Sequence, residues 1–385
     1  MLSGTVLDAA TQVPTAGARL GIVDGPNAGR SAVADAQGRY ALTSLEAGAF
    51  SLRATADGYD PEVRQVTLSS DLTADFSLRR SGPPPQPGAG VTGTAVDGES
   101  DRALADVLVS IDGLGETRTA ADGTFHFDAG DPQLVRLVTL SSSSIIVRQT
   151  HLRVPGPSAT LSLIPATTDL PAFDQMFRAS GSLVRWVSAP ALTVERRVLQ
   201  FTNVTDQEYT ATTEVMSEGE TEGLMADLAW ALPQMSTFTG FVDAVSETAP
   251  SGSRVRVTRP GRIVVARYAG LQAATGFWGY GRWQTSGGEV VSGIVMLDLG
   301  FDTSGSVFRR SLRAHELGHA LGYNHVTLRA SVMNSSARVE PNPFDRSAMK
   351  LAFQRPPLNR SPDIDPDPFT ANLRGLAERV WHGDR

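Results

Sequence analysis

Two all-β sandwiches followed by one α+β domain are the fold class this sequence predicts, and three observations predict it. Residues 1–80 alternate apolar and polar at period two, in short runs broken by Gly, Asp and Pro. The pattern restarts about 85–90 residues later, which is a domain duplication and not a solenoid repeat. Beyond residue 165 the apolar spacing changes, and helix-period stretches alternate with apolar strand-like runs.

The bulk numbers agree with a multidomain soluble chain. At 385 residues it is too long for one ordinary core. The net charge of −7 and the lack of a long basic run exclude nucleic acid or an anionic membrane surface as the main partner. No stretch approaches the ~18 consecutive apolar residues of a transmembrane helix. The opening MLSGTVLD goes straight into strand alternation with no basic n-region or apolar h-region, so no signal peptide is expected in it. Cysteine is absent, which excludes disulfides, thiolate chemistry and a cysteine-based latency switch. Doing without cysteine is consistent with an exported bacterial protein, and the expected location is extracellular or cell-surface.

The elements follow in order. GARLGIV, GRYALTSL, FSLRATA and VRQVTLS in residues 1–80 read as short strands of a sandwich. RRSGPPPQPGAG (Arg79–Gly90) reads as a semi-rigid, proline-rich linker, assigned to residues 81–90. In residues 91–165, TGTAVD echoes SGTVLD, and TAADGTFHF echoes ADAQGRYAL. The two units resemble carboxypeptidase regulatory-like domains, a transthyretin-like sandwich. The resemblance rests on G-T-x-x-D at the start, the x-D-x-x-G-x-[YF] turn, and AGAFSLRATADGYD in the first copy; the second copy is more degenerate at its end. It implies spacer or adhesion modules. His126 and His151 are lone histidines on strands and carry no expected role.

IPATTDLPAF (Ile164–Phe173) is a second boundary, expected to isolate the domain at 166–385 so that it folds alone. In it, Glu220–Ser236 reads as an amphipathic helix with Leu224, Leu228, Leu232 and Met235 at helical spacing. RIVVARYAGL and SGIVMLDLGF read as buried strands, Val307–Leu321 and Arg346–Gln354 as helices. The acidic, proline-rich DIDPDPF is a surface strap, and TANLRGLAERVW after it is expected to dock back as a helix.

His315, Glu316 and His319 form H-E-x-x-H. Positions i and i+4 on a helix share one face, with Cβ atoms roughly 5–6 Å apart, so two imidazoles can reach one ion. Gly322 stands where a helix-ending residue needs the left-handed conformation, and the turn there would return His325 to the same ion. The helix is apolar around most of its circumference, hence buried. Two buried histidines and a glutamate are costly without partners, and a divalent cation with its water would satisfy all three. Three neutral imidazoles around zinc keep a position open for water and lower its pKa to around 7. Glu316, too near His315 to ligate the same ion, would take the proton and pass it to the leaving amine.

H-E-x-x-H-x-x-G-x-x-H followed by Met333 in ASVMNSS resembles the metzincin zinc peptidases, most closely the matrixin-type branch. The resemblance implies one catalytic zinc held by His315, His319 and His325, Glu316 as catalytic base, and Met333 as the floor under the histidines. It also implies an edge strand at SGIVMLDLGF (Ile294, Val295, Met296) to which an extended polypeptide substrate would add. Ser335 stands where other branches place a tyrosine, and Tyr323 is expected to pack into the domain. Asp298 and Asp302 are candidates for a structural calcium, and Asp174 for a carboxylate that caps the zinc. The expected protein is a monomeric zinc endopeptidase. The alternatives are an inactive binding or adhesion protein and a zinc hydrolase of non-peptide substrates.

Overall fold

The computed structural model describes residues 1–9, 12–79, 90–128, 134–336, 339–368 and 377–382. The linker residues 80–89 and the first part of the expected C-terminal helix lie outside them.

The first sandwich is built from β1 (Leu2–Asp8), β2 (Arg19–Ile22), β3 (Ser31–Val33), β4 (Arg39–Leu42), β5 (Gly48–Thr55), β6 (Glu62–Leu68), β7 (Leu72–Thr73) and β8 (Phe76–Leu78). One sheet joins β1 to β4, β7 and β8; the other runs β3-β2-β5-β6. Period-two alternation places Leu2, Val6, Leu20, Ile22, Phe50, Leu52 and Phe76 between the sheets. The second sandwich contains β9 (Val91–Asp97), β10 (Leu108–Ile111), β11 (Gly115–Arg118), β12 (Thr124–Phe127), β13 (Leu134–Ser141), β14 (Arg148–Val154) and β15 (Ala159–Leu163). Its sheets run β12-β9-β15 and β11-β10-β13-β14. Apart from the two-residue β7, the second copy repeats the first strand for strand. Its drift in sequence leaves the topology unchanged.

The last domain holds α1 (Leu170–Phe177), β16 (Ala191–Gln200), β17 (Glu208–Val215), α2 (Glu218–Ala231), β18 (Ala244–Glu247), β19 (Arg254–Arg256), β20 (Arg262–Ala269), α3 (Leu271–Thr275), β21 (Gly279–Ser286), β22 (Glu289–Asp298), α4 (Leu299–Asp302), α5 (Arg309–Ala320), α6 (Pro343–Phe353) and β23 (Ala377–His382). The sheet order is β19-β17-β16-β20-β22-β21-β23, with β18 also on β16. β16, β18, β20 and β22 are parallel, while β21 runs antiparallel between β22 and β23. RIVVARYA and VSGIVMLD are near-continuous apolar runs because both faces of these central strands are covered. Val265, Val295 and Leu297 face the helices, with Leu224, Leu228, Leu317 and Met333. Tyr209, Tyr268, Ile294 and Met296 form a second core on the opposite face.

Helix ends follow sequence signals. Ser217 and Glu220 make a capping box that starts α2, and Asn342 and Asp345 make one that starts α6. α6 therefore begins earlier than the apolar spacing suggested. The C-terminal segment 377–382 is a strand, not a helix. No helix of the described residues is long and apolar enough to cross a membrane.

The last domain is not isolated. Gln149 and Ile364 form a parallel bridge, with Gln149 N–H donating to Asp363 O at 2.9 Å and Asp365 N–H to Gln149 O at 2.8 Å. Arg148 pairs with Asp365 at 2.9 Å, and both side chains are buried. Arg355 donates to the Ser162 carbonyl at 3.0 Å, and Lys350 pairs with Asp101 at 2.6 Å. Residues 363–365 of the expected surface strap thus lie between the second sandwich and the last domain, while Asp367 and Pro368 are exposed. Toward the first sandwich, Ser286 Oγ donates to Val23 O at 3.4 Å.

Candidate metal centre

α5 is buried at every residue from Ser311 to Ala320. The stretch is covered on all sides, and His315, Glu316 and His319 are carried inside with it. The helix ends at Leu321. Gly322, at φ +107°, donates to His319 O at 2.9 Å, and Tyr323 N–H donates to Gly318 O at 3.0 Å. This pair of bonds is a Schellman motif, and it needs a residue tolerant of positive φ. It turns the chain back and brings His325 to the other two histidines.

The three Nε2 atoms converge: His315–His319 3.0 Å, His319–His325 3.1 Å, His315–His325 3.2 Å. His315 Nδ1 lies 2.7 Å from the Val332 carbonyl, and His319 Nδ1 2.7 Å from the Tyr323 carbonyl. A carbonyl only accepts, so both Nδ1 atoms carry the proton, and in the neutral ring Nε2 presents a lone pair. Burial holds His315 down at about 4, against a smaller upward pull from the Val332 carbonyl. At neutral pH the ring is uncharged. Lone pairs that face one another at this distance repel, and a cation between them removes the repulsion. Donor atoms 3.0–3.2 Å apart on a sphere of metal–nitrogen radius ~2.0–2.1 Å subtend about 91–106°, within reach of a tetrahedral site that keeps an open side. The residues therefore fit a divalent metal. Among the described residues this is the one cluster of three or more metal-ligating side chains.

Glu316 points to the sheet. A Cβ added to Gly279 of β21 would meet Glu316 Oε1 at 2.5 Å, and one on Gly293 of β22 would meet Ala320 O at 2.7 Å. Gly281 lies likewise against His319. Three glycines thus let the helix rest directly on the backbone of β21 and β22. Met333 lies beneath the helix, its sulfur where a Cβ of Gly318 would come within 2.5 Å. Asp345 anchors this turn: Ser331 Oγ donates to it at 2.5 Å, Val332 N–H at 2.9 Å and Asn342 N–H at 2.9 Å. The Val332 carbonyl in turn orients His315. Sequence reasoning missed Asp345, although the N-x-x-D capping signature was present, and it missed the glycines.

Several expectations need correction. Ile294, Val295 and Met296 are not on an edge. β22 pairs with β20 on one side and β21 on the other, so its backbone groups are taken and no peptide can add there. Ile294 and Met296 instead fill the second core. Asp298 caps α4 through Gly300 and Phe301 and accepts from Gln272 N–H. Asp302 is held by Arg267 and Arg313 at 2.7 and 2.8 Å. Two guanidinium groups on Asp302 oppose a further cation, so the pair forms no calcium site. Asp174 pairs with Arg178 at 2.7 Å and accepts from Ser361, so its carboxylate is already engaged. Tyr323 is buried, stacks edge-on against Phe177 and donates to the Met235 carbonyl, turned away from the cluster. Ser335 is exposed beyond the turn.

The carboxypeptidase regulatory-like domain family matches residues 1–79. No curated protein matches the chain. Among solved structures, the Bacillus anthracis TIE protein aligns at 16% identity over 43% of this chain, which spans 33% of that one, with a TM-score of 0.21. Klebsiella pneumoniae 5-hydroxyisourate hydrolase aligns at 20% identity over 21% of this chain and 91% of its own, with a TM-score of 0.18. The minor pilin GBS52 of Streptococcus agalactiae aligns at 14% identity over 43% and 96%, with a TM-score of 0.22. Scores this low carry no argument about the whole chain. The match of residues 1–79 to the carboxypeptidase regulatory-like domain family supports the expected first sandwich.

Proposed function

We propose that the last domain is a zinc endopeptidase of the metzincin type, secreted or displayed at a cell surface. The observation that carries the reading is the cluster of three Nε2 atoms 3.0–3.2 Å apart, with Glu316 buried beside them. Parallel β16, β20 and β22 with an antiparallel β21 against the histidine-bearing helix support it.

His315, His319 and His325 would hold the metal as neutral ligands, with two of them fixed in tautomer by the Val332 and Tyr323 carbonyls. A bound zinc would supply Lewis acidity toward a carbonyl and a water. Glu316 accepts the proton of the attacking water and returns it to the departing amine. Its burial raises the strength of these electrostatic interactions and keeps bulk water from competing. Met333 and Gly318 keep the helix turn between His315 and His319 at fixed depth. Tyr323 donates elsewhere and contributes no oxyanion contact.

The test is metal analysis of the purified chain, with cleavage of an extended-peptide library by the wild type and by Glu316→Gln. One zinc per chain, hydrolysis by the wild type, and a variant that keeps zinc but loses hydrolysis are expected. No metal uptake, or near-normal turnover by Glu316→Gln, would refute the assignment.

A further inference from the structure

β21 is the strand that lies against Glu316 and His319. Its inner side is closed by β22 along Gly279–Ser286. Its outer side is not open to solvent: β23 pairs with it antiparallel, Tyr280 across from His382, Gly281 from Trp381 and Thr285 from Ala377. The direction matters. The C-terminal end of β23 lies at the Gly279–Gly281 end of β21, where the two glycines touch the helix that carries the histidines. Neighbouring strands are ~4.8 Å apart. A peptide that reached the histidines by adding to the sheet would therefore have to take the place of β23.

We propose that the outer edge of β21 is a docking surface for an extended peptide and that Ala377–His382 is its resident occupant, so that the chain covers the approach to its own histidine cluster. The consequence for hydrolysis rests on the peptidase reading; the occupancy does not. Recognition runs through main-chain hydrogen bonds and is tolerant of sequence, as in other strand additions. Six residues of ladder bind weakly in trans, but a short tether raises the effective concentration to about the mM range. The segment therefore stays in place in the intact chain and yields only to a substrate at comparable local concentration, or after loss of the segment. β21 keeps its ladder with β22 when β23 leaves, so displacement does not dismantle the sheet.

The experiment uses the full chain with Val380→Pro and Trp381→Pro together. Of two neighbouring residues on an edge strand, one donates its N–H to the ladder, so the double change removes such a bond whatever the phase of the pairing. A second protein ends after Pro368. Three readouts are taken: hydrogen exchange of the β21 amides, binding of the labelled synthetic peptide AERVWH, and cleavage of an extended peptide. Expected are exchange faster by about tenfold or more at β21 in both proteins, saturable binding of AERVWH to the truncated chain but not to the wild type, and kcat/KM raised by about tenfold with AERVWH as inhibitor. Unchanged β21 exchange in both proteins would overturn the proposal. Faster exchange and peptide binding with an unaltered, measurable kcat/KM would also overturn it, since the strand would then cover nothing. If β21 exchange accelerates and AERVWH rebinds while no protein cuts any peptide, the docking surface stands and the peptidase reading falls.

Discussion

Replacing Arg148 with Ala tests whether the second sandwich is part of the proposed catalytic unit. The Arg148 guanidinium donates to Asp365 Oδ2 at 2.9 Å and to the Ser162 carbonyl at 2.5 Å, and both members of the ion pair are 7% exposed. Asp365 keeps Asn359 at 2.7 Å as a neutral donor once the arginine is gone. Loss of one partner from a buried pair leaves an uncompensated charge and costs about 3–5 kcal/mol. At roughly 2–4 °C per kcal/mol for a unit of this size, the melting midpoint should fall by on the order of 10 °C. The double change Arg148→Met with Asp365→Leu removes both charges and should recover most of the loss, because apolar replacement of a buried pair is often neutral.

The same reasoning scales to truncation. A chain that starts at residue 166 loses Arg148, Gln149 and Ser162 together. Arg355 and Asp363, which are both fully buried, then face water at the cut surface with Asp365. That chain should fail to melt cooperatively. A chain that starts at residue 90 keeps Arg148, Gln149 and Ser162 and loses such contacts as Ser286 to Val23 and the exposed Asp57 to Arg153, so it should melt near the full-length midpoint. Differential scanning calorimetry of the four proteins reads the result. A cooperative transition in the chain from residue 166, within a few degrees of full length, would show that the interface adds nothing and that the boundary at Ile164–Phe173 does isolate the last domain.

Three further outcomes are expected. Gly318→Ala puts a Cβ 2.5 Å from the Met333 sulfur and 2.7 Å from the Met235 methyl. Both are ends of flexible side chains, and alanine favours a helix over glycine by about 1 kcal/mol. Stability in a chemical denaturation series should therefore change by no more than about 1 kcal/mol, while metal affinity should fall as Met333 is displaced. Glu220 is held down at about 2 by the Ser217 hydroxyl and N–H and by Arg267, and a depressed carboxylate stabilises the fold above its unfolded value and loses that contribution as pH falls. Glu220→Gln should therefore lower the melting midpoint by a few degrees at pH 7, as loss of a ~1 kcal/mol cap would, and the gap to wild type should close between pH 4.5 and about 2. Tyr323→Phe should change kcat by less than about tenfold, where removal of a true oxyanion donor costs about 10²–10³; a larger loss with metal content unchanged would place the phenol in the reaction.

The histidine cluster was legible because its geometry is local. Eleven consecutive positions hold a helix face, a glycine-ended turn and a third ligand, and helix periodicity alone brings them together. The sandwiches were legible for a similar reason, since alternation and turn residues act within one hairpin. Sheet order was not. Parallel strands are joined by crossovers, so neighbours in space are distant in sequence, and SGIVMLDLGF was assigned to an edge. Its apolar residues run on both faces, which is the signature of an interior strand. The tail TANLRGLAERVW reads as a helix by its spacing, but its described part, Ala377–His382, takes its conformation from pairing with β21, a partner distant in sequence. The interface between the second sandwich and the last domain depends on Arg148, Arg355, Asp363 and Asp365, and charged residues in a proline-rich stretch read as solvated until their partners are known.

The glycines of β21 and β22 tie these points together. Gly279, Gly281 and Gly293 carry ordinary strand backbone, with none of the positive φ that marks a turn glycine. Their role is the missing side chain, which sets how deeply α5 sits on the sheet. A methyl at Gly279 would enter the space of the Glu316 carboxylate, and one at Gly293 would press on the Ala320 carbonyl. The same contact sets Gly279 of β21 against Glu316 and Gly281 against His319. Helix depth and peptide access are thus set by one packing surface. For this reason the register of β23, Tyr280 to His382 and Gly281 to Trp381, bears on the metal centre and not merely on the end of a sheet.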